Sequence, residues 1–420
     1  METRQYMVID LKSFYASVEC VARGLDPMTT KLVVADPERN QGTICLAVSP
    51  AMKALGVKNR CRVFEIPTSI DYIMAPPRMQ TYIDTSADIY GIYLKYIAKE
   101  DIHVYSIDEA FLDVTDYLKL YDMSSHDLAL TIMNDIEDTT GLRATCGIGT
   151  NMYLAKIALD IMAKHSPDFV AELDEDSFKT TLWKHKPLTD FWRVGPGTAR
   201  RLNSMGILTM EDLAKAPEKL LYKNFGVEAE FLIDHAWGRE PCTIAEVKSY
   251  RQKSHSLSSG QVLMRDYTYE EALIIVKEMV DLLSLDMVSQ GVVTNNVSLS
   301  VGYSYSEMPL PGSSGSVTLG VTTNSVRILT DAFVSIYEKV ADRNGKIRRL
   351  NISAGSLVDE CFEQYNLFVD PAIMEKDKSI SKSVNELKAK FGKNAILKGM
   401  NLEQAATTIE RNNQIGGHKK

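Results

Sequence analysis

Acidic residues set inside apolar strand text constrain this chain more than any other feature. Tyr6 to Leu11 reads as a short buried strand that carries Asp10. Farther on, Val104-Tyr105-Ser106-Ile107-Asp108-Glu109-Ala110-Phe111-Leu112-Asp113 alternates and turns like a hairpin, with Asp108 and Glu109 at its middle. Charges bracketed by apolar residues are costly to bury unless they are paired or bound to metal. Three carboxylates converging on one site repel one another, and a hard cation with oxygen ligands relieves that repulsion. An acidic pair taken alone more often fills an exposed hairpin turn, so the rest of the chain has to decide.

At 420 residues the chain is too long for one ordinary domain. Its 45% hydrophobic and 24% charged residues are those of a globular protein and exclude wholesale disorder, collagen-like and coiled-coil rods. The net charge of −8 argues on its face against a nucleic-acid partner, since such domains are usually basic. The negative excess lies in residues 1–244, however, whereas 245–358 balance and bunch cations at Arg343, Lys346, Arg348 and Arg349. No apolar run is long enough to span a membrane, and the N-terminus lacks the pattern of a signal peptide. Six scattered cysteines without zinc-ligand spacing read as free thiols, which predicts a cytoplasmic protein.

The element pattern is mixed. Lys31–Ala35 and Thr43–Val48 read as strands, and Ser49-Pro50 opens a helix that Gly56 stops. Thr81–Lys99 and Leu128–Glu137 have helical spacing, Ala144–Ile148 reads as a strand, and Asn151–Lys164 as one long helix. From 166 to 240 the text becomes short helical pieces broken by Gly and Pro. Glu246 to Gly260 is polar and serine-bearing and reads as a linker; 261–358 mixes helix and strand again; 359–420 is short polar helical text. The prediction is an α+β multidomain chain.

Asp10-Leu11-Lys12-Ser13-Phe14-Tyr15-Ala16-Ser17-Val18-Glu19, followed by Ser106-Ile107-Asp108-Glu109-Ala110-Phe111-Leu112-Asp113, resembles the paired signatures of Y-family DNA polymerases, the translesion enzymes. The likeness continues through Gly147-Ile148-Gly149-Thr150-Asn151, Leu154-Ala155-Lys156-Ile157-Ala158, Met162-Ala163-Lys164, Val194-Gly195-Pro196-Gly197, Arg265-Asp266-Tyr267 and Ile347-Arg348-Arg349-Leu350, covering residues 5–355 in order. Within the family, Ser49-Pro50 and the long tail look most like the catalytic subunit of bacterial DNA polymerase V and its relatives in Gram-positive bacteria. The resemblance implies a right-hand fold: a palm from 1–19 and 80–165, fingers from 20–79, a thumb with a helix–hairpin–helix from 166–240, a linker from 241–260, a little finger from 261–358 and a tail from 359–420.

It also implies roles. Asp10, Asp108, Glu109 and the carbonyl of Leu11 would hold two Mg²⁺ ions, with the three acids catalytic. Asp113 and Asp116 lie outside that set. Tyr15 would be a steric gate against a ribose 2′-hydroxyl, with Phe14 beside it and partly core. Lys53 and Lys164 would meet the triphosphate, and Ser49 or nearby amides would replace a phosphate-contacting Tyr for which this chain has Pro50. One extra residue in the Ala158 to Met162 stretch sets this chain apart from some relatives, and Lys156, Asp160 and Lys164 also form an i, i+4 ion-pair stripe. Gly195, Gly197 and Thr198 would cradle a DNA phosphate. Arg348 and Arg349, placed on opposite faces by alternation, would offer one side chain to DNA. Ile44 and Leu46, bulkier than in some relatives, stand for either a narrowed lesion range or core packing. In the tail, Gln364-Tyr365-Asn366-Leu367-Phe368 matches the Q-x-x-L-F pattern of sliding-clamp ligands.

The function implied is low-fidelity, template-directed DNA synthesis past damaged bases, without proofreading. The partners implied are primer–template DNA, dNTPs and the bacterial sliding clamp, with room for an activating accessory protein and no membrane. An inactive clamp- and DNA-binding relative is the alternative, against which the intact acids argue. A palm-fold nucleotide cyclase would not need the thumb turn, little finger or clamp peptide.

Overall fold

Apart from Asp10, the first strand is apolar or aromatic from end to end, and it takes the centre of a sheet. The computed structural model describes residues 4–38, 41–250, 255–304, 311–362 and 371–420. Its elements begin with β1 (Tyr6–Leu11), α1 (Phe14–Val21), β2 (Leu32–Val34), β3 (Ala47–Val48), α2 (Pro50–Ala54), β4 (Ile73–Ala75) and α3 (Met79–Tyr93). Next come β5 (Ile102–Val104), β6 (Glu109–Asp113), α4 (Tyr117–Tyr121), α5 (Ser125–Thr140), β7 (Ala144–Gly149), α6 (Met152–Ile157) and β8 (Val170–Leu173). Six short helices follow: α7 (Glu175–Thr181), α8 (Pro196–Ser204), α9 (Met210–Lys215), α10 (Glu218–Phe225), α11 (Glu228–Ala236) and α12 (Ile244–Ser249). The remainder is β9 (Ser256–Tyr267), α13 (Tyr269–Gln290), β10 (Val292–Tyr303), β11 (Ser313–Thr323), α14 (Val326–Val340), β12 (Ile347–Gly355), β13 (Val358–Asp359), α15 (Pro371–Phe391), α16 (Thr408–Asn412), β14 (Gln414–Ile415) and β15 (His418–Lys419), with short 3₁₀ turns between some of them. Contacts divide the chain into two units, Met1–Tyr250 with His418–Lys420, and Arg251–Gly417.

In the first unit the main sheet runs β5-β6-β1-β7-β8, with β1 antiparallel to both neighbours. A separate three-stranded sheet, β3-β2-β4, forms the lobe inserted between α1 and α3. Its small core gathers Val33, Cys45, Val48, Met52 and Val63. The segment after β7 lies hard against that strand. A Cβ on Gly147 would meet the Ala155 carbonyl oxygen at 2.1 Å and the Leu159 nitrogen at 2.3 Å, so only glycine admits this contact. The short helices from α7 onward close over Phe178, Phe191, Leu202, Met210 and Leu221.

In the second unit the sheet runs β11-β10-β12-β9. Its inner face meets the two long helices α13 and α14 through Ile275, Met279, Leu299, Phe333 and Leu350. The outer face offers Ser258, Ser300, Ser314, Asn351 and Ser353, the one-sided pattern of an antiparallel sheet with one solvated face.

Several expectations need correction. Thr43–Val48 is a strand only at Ala47–Val48, with an isolated bridge from Ile44 to Arg62 before it. The single helix expected over Asn151–Lys164 is α6, then a π turn at Ala158–Met162, then a 3₁₀ turn at Ala163–His165. A π turn is how a helix absorbs a surplus residue, and this one covers the stretch in which the resemblance implied one. The palm boundary at 165 is too early, because β8 pairs parallel with β7 in the same sheet. The linker drawn at 241–260 is mostly structure. Thr243 and Glu246 form a capping box that starts α12, and Ser256 to Gly260 belong to β9. Serines alternating along an exposed strand face had the composition of a linker. The tail joins the second unit, with α15 against α13. A buried glutamate, Glu278, accepts bonds from the amides of Thr407 and Thr408 and from Asn401 Nδ2.

Candidate active site

The β1–β6 register sets Asp10 directly opposite Glu109, and the Leu11 amide donates to the Asp108 carbonyl at 3.0 Å. The acids from two distant segments therefore meet where these strands begin and end. Burial pushes the Asp10 carboxyl up to about 7; Lys164 opposes the rise, while Asp108 and Glu109 add to it. Burial also raises Glu109, against the pull of Lys156. Lys156 Nζ lies 2.8 Å from Glu109 Oε2 and is shared with Asp160. Glu109 Oε1 is buried without a hydrogen-bond partner. The Asp108 carboxylate accepts from Ser106 Oγ at 2.6 Å.

Among the described residues, no three His, Cys, Asp or Glu side chains are gathered into a ready-made metal cage. Mg²⁺ seldom uses one; it keeps waters and substrate phosphates and takes one or two carboxylates from the protein. The donor set fits such an ion: three carboxylates at a strand junction, one buried oxygen unpartnered, and one acid held up by burial and like charge.

Ser13 adopts the left-handed conformation (φ 51°) as α1 begins, which carries the chain from the acids into Phe14 and Tyr15. Phe14 is buried and belongs to the core. Tyr15 is half-buried and stacks on Tyr82, centroids 4.2 Å apart at 15°. Burial raises the Tyr15 phenol and Asp108 raises it further.

Three lysines ring the acids. Lys53 remains solvent-accessible but crowded by protein, which lowers its pKa while Asp10 and Asp108 hold it up. Lys164 bridges to Asp160 at 3.2 Å and still acts on Asp10. Lys12 is lowered by burial and by Lys164 and Lys53. Ser49 does not join them. Its hydroxyl oxygen is fully buried, accepting from the Leu32 amide at 3.1 Å and the Met52 amide at 3.4 Å, so it caps α2 and cannot face a phosphate.

Farther out in the same unit, Gly195 caps α8, and Gly195 and Gly197 are exposed with open space where a Cβ would stand; Thr198 is half-buried beside them. In the second unit, Gly302 faces Arg349 and Tyr303 faces Ile347, so Arg348 is an extra residue, a β-bulge on β12. This corrects the simple alternation expected for the pair. Ile347 and Leu350 are both buried with two arginines between them. Arg348 pairs with Asp266 at 3.6 Å, while Arg349 is exposed above Gly302. Gln364, Leu367 and Phe368 lie outside the described residues.

Comparison with known proteins agrees with this geometry. Residues 9–160 match the impB/mucB/samB family, and 254–367 match the C-terminal domain of the same family. The chain is 32% identical to a putative UV-damage repair protein, UvrX, of Bacillus subtilis, over 99% of this chain and 98% of that one. It is also 32% identical to DNA polymerase IV 2 of Bacillus subtilis over the full length of both. This chain belongs to the Y family of translesion DNA polymerases. A solved Y-family DNA polymerase chimera, Dbh-Dpo4(243-245)-Dbh, shares its fold with a TM-score of 0.64 at 20% identity, covering 84% of this chain and 99% of that one. As a Y-family DNA polymerase, the chain acts on primer–template DNA and dNTPs. No helix among the described residues is long and apolar enough to cross a membrane.

Reading the sequence missed three residues of the site. Lys156 was visible only as part of an ion-pair stripe, although it is the one charge in the apolar run Met152–Leu159. Tyr82, stacked on Tyr15, left no signal beyond helical spacing. Lys12 stood inside the first signature without a role.

Proposed function

We propose that the chain performs low-fidelity, template-directed DNA synthesis past damaged bases by two-Mg²⁺ nucleotidyl transfer, with Asp10, Asp108, Glu109 and the Leu11 carbonyl as the ligand set. The observation that carries this is the cross-strand pairing of Asp10 with Glu109, one of whose buried oxygens has no partner. When bound, the ions supply Lewis-acid activation of the primer hydroxyl and neutralise the leaving pyrophosphate. The chain's own residues do the positioning, which is most of what phosphoryl transfer requires. Lys156 holds Glu109 by one oxygen and leaves the other free. Lys53 and Lys164 supply positive charge for the triphosphate, and Tyr15 bars a 2′-hydroxyl.

The exposed Gly195–Thr198 turn and Arg349, above an open face of serines and Asn351, suit contact with DNA phosphates through amides, hydroxyls and one cation. Low fidelity is inferred from the family, and the small inserted lobe around three short strands is consistent with it. The Gln364–Phe368 peptide is assigned to the sliding clamp on its sequence alone, and tethering there would offset weak, salt-sensitive DNA binding by a chain of net charge −8.

The test is primer extension with dNTPs, with Mg²⁺ present or chelated. Wild type should extend only with the metal, and Asp108→Ala and Asp10→Asn should each lose about a thousandfold or more in rate. Equal extension by Asp108→Ala would refute the assigned site.

A further inference from the structure

Tyr15 can exclude a ribose only if its ring cannot retreat. Its back is not left to solvent or to flexible aliphatic chains. Tyr82 of α3, fully buried, lies flat against it at 4.2 Å and 15°. Tyr82 is itself fastened, its hydroxyl donating to Glu19 Oε1 at 2.8 Å. Glu19 is fully buried, four residues beyond Tyr15 on the same helix. Arg78 grips it with two bonds, Nε to Oε1 at 2.9 Å and Nη2 to Oε2 at 3.0 Å, and Arg23 bonds it as well. A buried carboxylate with three such partners is expensive to disturb.

The location adds meaning. Glu19 and Arg23 lie where the chain leaves α1 for the β2–β4 lobe, and Arg78 lies where it returns into α3. The cluster thus closes both crossings of the inserted lobe and, through Tyr82, backs the ring at the nucleotide's sugar. We propose that Tyr82, seated by the Glu19–Arg78–Arg23 clasp, is a positioning residue that sets sugar discrimination. This rests on the reading of Tyr15 as the gate. Discrimination between a hydrogen and a hydroxyl depends on ring placement to a fraction of an ångström, and the stack and clasp fix that placement from both ends.

The experiment compares incorporation of dCTP and CTP opposite template dG by wild type, Tyr82→Phe, Tyr82→Leu and Tyr15→Ala, with each variant's melting midpoint measured alongside. The kcat/KM ratio of deoxy to ribo substrate should fall about tenfold in Tyr82→Leu, which loses the stack, and about threefold in Tyr82→Phe, which keeps the stack and loses the Glu19 bond. Tyr15→Ala should collapse it. A residue that merely stabilised the fold would lower the midpoint and both rates together and leave the ratio alone. Tyr82→Phe changes a single oxygen, so it keeps the test decisive if Tyr82→Leu does not fold. A ratio unchanged in the Tyr82 variants that fold, with collapse in Tyr15→Ala, overturns the clasp and leaves the gate standing. A ratio unchanged in Tyr15→Ala overturns the gate reading and the proposal with it.

Discussion

At the scale of single residues, the molecule separates side chains left accessible beside the acids from side chains committed to its own backbone. Ser49 and Lys53 lie four positions apart, and the sequence offered both to the triphosphate. The structure commits the Ser49 hydroxyl to two internal amides and leaves the Lys53 ammonium accessible beside Asp10 and Asp108. The two should therefore fail differently. Lys53→Ala should raise the KM for dNTP about tenfold, the loss of one charge-assisted contact, with little change in melting temperature. Ser49→Ala should leave that KM near wild type and cost about 1 kcal/mol of stability in urea titrations, the usual loss of an N-cap. The acids were legible because a charge in apolar strand text needs an explanation. The cap was not, since a serine before a helical proline signals a helix start whether or not a ligand is near. Lys156 was hidden for a related reason: i, i+4 spacing to Asp160 describes a surface stripe as well as it describes a buried lysine holding Glu109.

At the scale of elements, the strands and helices that carry the site were readable, and their interruptions were less so. The surplus residue after Ala158 was visible as a count. That it becomes a π turn follows from a contact no local pattern encodes, the backbone of Ala155 and Leu159 pressed onto Gly147. With the front of the segment pinned, the extra residue bulges and Lys164 returns to Asp160. Gly147→Ala should then be severe, at about 3 kcal/mol or more, because the obstructing atoms are backbone and cannot move aside. A Gly147→Ala variant with wild-type stability by calorimetry would contradict this packing. The α1–α3 clasp has a pH signature. Burial pushes Glu19 up, but the bonds from Arg78, Arg23 and Tyr82 prevail and hold it below the ordinary carboxylate range. The folded chain keeps Glu19 ionised to lower pH than the unfolded chain does. Its stabilisation is thus present above about pH 4.5 and lost as pH falls through the lower folded value. The melting midpoint of wild type should drop more steeply between about pH 5 and 3 than that of Glu19→Gln, which carries no proton to gain there.

At the scale of the whole molecule, composition misjudged the places where polar residues do structural work. Serines on the outer face of β9 read as a linker, and the polar text of 359–420 read as a tail. Local composition reports what faces solvent, whereas membership in a folded unit depends on contacts made across long stretches of sequence. Glu278 is the clearest instance. In sequence it is a charge on α13, where helical periodicity gives no reason to bury it. In the structure it is buried, and its acceptors are filled by Asn401 and by the amides of Thr407 and Thr408, well over a hundred residues later. The segment 401–408 therefore completes the second unit. Ending the chain after residue 392 would remove every one of these donors and leave a carboxylate uncompensated in an apolar setting, a loss of about 3–5 kcal/mol. Calorimetry of the full-length chain should place the second unit's transition well above that of the truncated chain. Adding Glu278→Leu to the truncation should recover part of the difference, because an apolar side chain asks for no donors there. An unchanged transition in the truncated chain would mean that the tail only rests on a unit stable without it.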